Sequence, residues 1–175
     1  MEEISIRKLT PADLEQLQEI SRQTFFETFS AVNTTENMKQ YLEEGFSGER
    51  LTAELNNNDS QFYFAEQAGV VVGYLKLNFD TAQTELKDKA GLEIERIYVL
   101  QQFQGMRIGQ ILFEKAMDIA RQRNATYVWL GVWENNTKAI NFYSKNGFVA
   151  FDKHVFRLGD DEQTDIMMKL ELKIA

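Results

Sequence analysis

Three short stretches hold the residues able to do chemistry: the strand-like LEIERIYVL (92–100) with Glu93 and Glu95, the loop QGMRIGQ (104–110), and NNTKAINFY (135–143) with Asn136 and Tyr143. The loop joins a strand-like run to an amphipathic helix. Unpaired backbone N–H groups at the positive end of that helix make an anion site, and Gly105 and Gly109 keep the approach open. The spacing is not G-x-G-x-x-G and no Gly-Lys-Ser/Thr follows, which excludes a dinucleotide fingerprint and a Walker loop. Ordinary turn chemistry remains an open reading. In the helix's first turn Arg107 would have right-handed dihedrals, whereas a left-handed position would cost it ~1–2 kcal/mol. Its guanidinium either points to solvent or reaches an anion held by the loop.

Glu93 and Glu95 share a face of their strand because side chains alternate. They are acid–base groups or carboxylates paired with Arg96, Lys76 or Lys89, since partly buried carboxylates need partners. Tyr143 lies two helical turns beyond Asn136 on one face, as a proton donor or as a packing residue beside Phe142. His154 sits in a β-rich run with Phe151 and Phe156 and reads as a structural or surface histidine without a visible partner. The serines lack a G-x-S-x-G elbow, which argues against a hydrolase. Asp160, Asp161 and Glu162 suit a solvated turn or an acidic rim, to which Glu27, Glu36, Glu43 and Glu44 would add. Phe25, Phe26, Phe29 and Tyr41 either line an acceptor tunnel or belong to the core.

These residues need a scaffold, and 175 residues with 43% hydrophobic content supply one domain, 1–175. The absence of cysteine and the single histidine leave no metal site to expect. A net charge of −8 disfavours nucleic acid and suits a cationic small molecule, though such acidity is also ordinary in the cytosol. The acidic, alternating N-terminus and the lack of an apolar run of ~18 residues point to a soluble, cytoplasmic protein with no membrane partner.

EISIRKL alternates as a strand, and Thr10-Pro11-Ala12-Asp13 starts a helix that reaches Phe29. Helices follow at Glu36–Glu44, ended by Gly45, and at Glu49–Leu55. QFYFAEQAGVVVGYLKLNF is a hairpin turning at Gln67-Ala68-Gly69, and LEIERIYVL is a strand entering the interior. The loop at 104–110 opens the next helix, YVWLGVW (127–133) is a strand covered on both faces, and Asn136–Lys145 is a helix stopped by Asn146-Gly147. Residues 148–157 and 164–172 form a last hairpin through GDDEQ. The order implies an α/β fold: a mixed central sheet of about seven strands flanked by helices, with a right-handed parallel crossover at its centre.

IERIYVLQQFQGMRIGQILFEKAMDIA followed by WENNTKAINFYSKNGF resembles the acetyl-CoA core of the GNAT superfamily of N-acetyltransferases. The loop pattern is Gln/Arg-x-x-Gly-x-Gly/Ala, matched by Gln104 and Gly109, with Arg107 replacing the middle glycine. TFFETF, ENMKQYLEEGF and GDDEQTD extend the likeness to PaiA-type spermidine/spermine N-acetyltransferases over nearly the whole chain. The resemblance implies acetyl-CoA as cosubstrate, no metal, and a small-molecule amine as partner. It is compatible with a homodimer. It places the pyrophosphate on Gln104, Gly105, Met106, Arg107, Ile108 and Gly109, and the pantetheine arm beside Ile97, Tyr98 and Val99, between two splayed parallel strands. Asn136 and Lys145 are also implied in cofactor binding. Tyr143 is the acid implied at the thioester sulfur, Glu95, in preference to Glu93, the base for the amine, and a backbone N–H near Ile97–Val99 the oxyanion donor. Without a cysteine nucleophile, direct transfer in a ternary complex is expected. An acetyltransferase for protein N-termini, lysines or small amine antibiotics, and a CoA-binding regulatory module, are the other readings.

Overall fold

The structure, a computed structural model, describes residues 3–173. Alternation in the opening segment makes β1 (Ile4–Lys8). The helix start at Thr10 unfolds in two steps: Pro11–Asp13 form a 3-10 turn, with the Thr10 N–H donating to Asp13 Oδ2 at 2.9 Å, before α1 (Leu14–Phe29) begins. The side chains of Thr34 and Ser47 accept the N–H groups of Asn37 and Arg50, capping α2 (Thr35–Gly45) and α3 (Gly48–Asn56). β2 (Ser60–Gln67) and β3 (Val70–Phe79) form the expected hairpin, whose two-residue turn holds Ala68 and Gly69 at φ 51° and 77°.

β4 (Gly91–Val99), α4 (Ile108–Gln122) and β5 (Tyr127–Trp133) make the crossover, and α5 (Thr137–Lys145) follows. The last hairpin is tighter than its sequence suggests. β6 (Val149–Leu158) and β7 (Asp161–Glu171) pair from Leu158↔Asp161, leaving Gly159-Asp160 as the turn. Gly159, at φ 62°, permits that two-residue connection. Asp161 and Glu162 therefore belong to a strand, not to a turn, and Glu162 pairs with Arg157 across the hairpin at 2.6 Å.

The sheet runs β1-β2-β3-β4-β5-β7-β6, antiparallel except at β4–β5. Each face covers its own core. Leu17, Ile20, Phe25, Phe29 and Leu51 of α1 and α3 pack on Phe62, Phe64 and Tyr74. On the other face Ile108, Leu112, Phe113 and Ala116 of α4 pack on Leu75, Leu77, Ile94 and Val128. Both stripes follow helical periodicity.

The parallel ladder is short. It joins Gly91↔Tyr127, Leu92↔Val128 and Glu93↔Trp129 and stops there. β5 stays paired with β7 along its whole length, so β4 leaves the sheet's central seam from Ile94 onward.

Candidate active site

The parting of β4 from β5 leaves a cleft of about 690 Å³ between Ile97–Val99 on one side and Trp133 and α5 on the other. Peptide groups on this edge of β4 lack a neighbouring strand, and such groups need a partner. The Val99 carbonyl already accepts from Gln104 Nε2 at 3.2 Å, and Gln104 Oε1 in turn accepts from Lys138 Nζ at 3.1 Å. Gln104 thus links the end of β4 to α5 at the cleft.

The loop from Gln104 to Gly109 closes one end of the cleft. Its first intrahelical bond, Ile111 N–H to the Arg107 carbonyl at 3.1 Å, leaves the N–H groups of Ile108, Gly109 and Gln110 ahead of the helical ladder. A Cβ at Gly105 or Gly109 would meet no heavy atom within 4 Å, so open space lies directly against the backbone. Free N–H groups, a helix's positive end and that space fit a pyrophosphate, and the unpaired β4 edge fits a chain of amides such as pantetheine. Arg107 is not in the helix's first turn. It is the N-cap residue, at φ 64° and ψ 15° in the left-handed region, exposed and lining the cleft.

Of the residues expected at the cofactor, Ile97, Tyr98, Val99, Gln104, Gly105, Arg107, Ile108, Gly109 and Asn136 line the cleft. Met106 is exposed beside it, outside the lining. Lys145 stands exposed in the last turn of α5, outside the lining, and the lysine that lines the cleft is Lys138. Seven residues separate the two, about 10 Å along the helix axis. Asn136 caps α5, its side-chain oxygen accepting the Ala139 N–H at 3.2 Å.

A bulge in β4 sits at the second of the two carboxylates. Leu75 pairs with Ile97 and Lys76 with Arg96, but Leu77 pairs with Ile94, so Glu95 is an extra residue in β4. Glu93 and Glu95 share a face as alternation predicts, with Ile94 between them in the α4-side core, and the bulge breaks the alternation only after Glu95. Asn78 Nδ2 donates to both, at 2.9 Å each, while Ile97 faces the α4 side. Buried Lys76 contacts Glu54 and lies 3.0 Å from Glu95 Oε1, and Arg96 Nη2 lies 3.1 Å from Glu95 Oε2. Burial works to raise the Glu95 carboxyl, but Arg96, Lys76 and the Asn78 hydrogen bond overcome it and hold it at about 2. Glu93 is pushed up by burial, opposed by the hydrogen bonds from Asn78 and Thr84.

A second chamber of about 310 Å³ opens on the α1–α3 side and shares Ile97, Tyr98, Trp133, Asn136 and Tyr143 with the cleft. Phe25, Phe29, Tyr41 and Phe156 wall it, and the Phe25 and Tyr41 rings stack at 4.2 Å. Phe26 is half exposed and outside it. Glu85, Glu93, Glu95 and Asp165 bring carboxylates to the chamber, whereas Glu36, Glu43 and Glu44 do not reach it. Glu27 lies instead at the cofactor cleft, accepting the Gln101 N–H at 3.0 Å. His154 also lines the chamber and its Nδ1 contacts Glu85, so the histidine read as unpartnered has a carboxylate beside it.

Tyr143 stands where the cleft and the chamber meet. Its ring packs on Phe142 and Phe148 at 5.3 and 5.7 Å, and its hydroxyl has no hydrogen-bond partner among the described residues. Burial raises its pKa. Packing and an unspent polar tip therefore coexist in one residue.

Residues 14–148 match the acetyltransferase (GNAT) family. An uncharacterised N-acetyltransferase of Lactobacillus delbrueckii subsp. lactis is 44% identical over 169 residues, 97% of this chain and 98% of that one. A spermidine N(1)-acetyltransferase of Thermoplasma acidophilum is 29% identical over 153 residues, 85% of this chain and 90% of that one. The crystal structure of the PaiA N-acetyltransferase from Thermoplasma acidophilum in complex with coenzyme A superposes with a TM-score of 0.80, at 26% identity over 97% of this chain and 99% of that one.

Proposed function

Because this chain belongs to the GNAT family of acetyl-CoA-dependent N-acetyltransferases, we propose that it acetylates a primary amine of the polyamine class, such as spermidine or spermine, in the cytoplasm. The observation that carries this reading is the junction at Tyr143, where a cleft fitted to the cofactor meets a chamber lined by aromatic rings and four carboxylates. Rings and carboxylates together suit an alkylammonium chain. The spermidine N(1)-acetyltransferase relative supports the same acceptor class.

Acetyl-CoA supplies an acetyl group on a thiol of ordinary pKa near ~8.5, a fair leaving group once its sulfur receives a hydrogen bond. The loop from Gln104 to Gly109, with Arg107 and Lys138, holds its phosphates, and Ile97–Val99 hold the pantetheine amides. A backbone N–H of that strand edge stabilises the developing oxyanion, a contribution of about 3 kcal/mol.

Tyr143 is the proton donor to the departing sulfur. A phenol raised by burial keeps its proton at neutral pH, which is the form a donor needs. Glu95 does not fit the part of direct base. Its carboxyl, held at about 2, lies roughly eight powers of ten below an alkylammonium of pKa ~10.4. It serves instead, held ionised by Arg96 and Lys76, to orient the water through which the amine's proton leaves.

A panel of amines assayed by thiol release with acetyl-CoA tests the proposal. Spermidine and spermine turning over ahead of monoamines supports it. Preferred turnover of a peptide N-terminus, a lysine or an amine antibiotic favours a different acceptor, and acetyl-CoA binding without turnover of any amine favours a regulatory module.

A further inference from the structure

We propose that His154, with Glu85 and Asp165, is a proton-linked specificity element of the acceptor chamber: its imidazolium and an ammonium group of the acceptor compete for the same two carboxylates. The inference rests on the polyamine reading and adds to it how the cation is selected. Where His154 carries a proton, taking up the acceptor releases it to solvent.

The register of the last hairpin pairs His154 with Asp165, and directly paired residues project from the same face. Glu85, from the segment between β3 and β4, completes the group by contacting His154 Nδ1. All three line the chamber. On β5 next to Asp165 stands Gly131, where a Cβ would lie 3.6 Å from Asp165 Oδ2, so the missing side chain keeps the space before that carboxylate open.

The other charges around the chamber are committed elsewhere. Glu93 accepts from Asn78 and Thr84, and Glu95 and Arg96 are bound up with Lys76 and Glu54. Arg50 leans toward Glu54 at 4.0 Å. On β6 itself Asp152 and Lys153 are exposed and outside the lining, and α2, packed against β6, contributes only Tyr41. Among the described residues no lysine or arginine pairs with Glu85 or Asp165. Burial raises the Asp165 carboxyl, with His154 opposing and Glu85 reinforcing that rise, as expected of groups in electrostatic contact. When His154 is neutral, two carboxylates in a cavity continuous with the acetyl-transfer cleft have no counter-charge. An alkylammonium chain entering between the aromatic walls supplies one.

Binding linkage is reciprocal, so both sides of the competition are measurable. His154 is the chain's only histidine, and its imidazole resonances are unambiguous in NMR. The wild-type protein is titrated with pH in the presence of coenzyme A, with and without saturating spermidine, and acetylation of spermidine is assayed alongside. We expect spermidine to lower the His154 midpoint by about one pH unit or more. We also expect the KM for spermidine to rise, relative to its high-pH value, about fivefold one pH unit below the free-protein midpoint for a one-unit shift and toward tenfold for a larger one, a rise lost in His154→Gln and reduced in Asp165→Asn.

An unchanged midpoint with spermidine acetylated overturns the proposal and leaves the polyamine assignment standing. A lowered midpoint without acetylation supports the cation site and removes spermidine as acceptor. No shift and no acetylation overturn both.

Discussion

Replacing Arg107 by glycine separates backbone strain from phosphate recognition at a single position. With φ 64° and ψ 15°, Arg107 occupies a conformation that costs an L-residue about 1–2 kcal/mol and costs glycine little. Glycine's larger freedom in the unfolded chain takes back about 0.5–1 kcal/mol. The net gain is about 0.5–1 kcal/mol, which for a chain of this length raises Tm by about 1–4 °C. The guanidinium lines the cleft and has no ion-pair partner among the described residues, so it is free to meet the pyrophosphate. A charge-assisted hydrogen bond is worth about 1.5–3 kcal/mol, so Arg107→Gly should weaken acetyl-CoA by roughly 10- to 150-fold. Differential scanning calorimetry reads the first effect and titration calorimetry with acetyl-CoA the second. A lower Tm refutes the strain argument, and unchanged affinity refutes the phosphate contact.

Tyr143→Phe should lower kcat by about 10²- to 10⁴-fold with every accepted amine, while Tm moves little because the hydroxyl makes no hydrogen bond to lose; unchanged turnover would remove Tyr143 as the acid. Lys138→Ala should weaken acetyl-CoA by about 3- to 10-fold and Lys145→Ala should leave it unchanged, since only the former borders the cleft. Lys76→Met strips Glu95 and Glu54 of a buried cation and should destabilise by about 3–5 kcal/mol in chemical denaturation. The pH dependence of Glu95 has a definite sign: its folded pKa of about 2 lies below the ordinary 4.5, so its contribution is fully present above about 4.5 and lost as pH falls toward 2. Denaturation curves of Glu95→Gln and wild type should therefore differ at pH 6 and converge near pH 2, and a gap that widened with acid would contradict the pairing described.

The scaffold was legible wherever one local rule governed a segment. Alternation located β1, the Ala68-Gly69 pair located the first hairpin, and the stripe from Ile108 to Ala120 located α4. The order of those elements sufficed for a mixed sheet with one parallel crossover, and Gln104 and Gly109 marked the anion loop. What sequence reading missed depends on tertiary pairing. The bulge at Glu95 arises only when β4 meets β3, and it reassigns the face of Ile97. Arg107 takes a left-handed cap because the chain must turn there, although the same residue is compatible with a helical turn. The His154–Glu85 contact joins segments far apart in the chain, and no spacing rule announces it. Lys138 and Lys145 lie on the same helix, so residue type and periodicity do not distinguish the one at the cleft.

Acetyl transfer from acetyl-CoA to a polyamine is measured by competition. The protein is given radiolabelled acetyl-CoA with equimolar spermidine and a peptide bearing a free N-terminus and a lysine, and the labelled product is identified by chromatography. Polyamine acetylation puts the label in N-acetylspermidine, and the label is lost in Tyr143→Phe. Label in the peptide, or in neither acceptor, contradicts it.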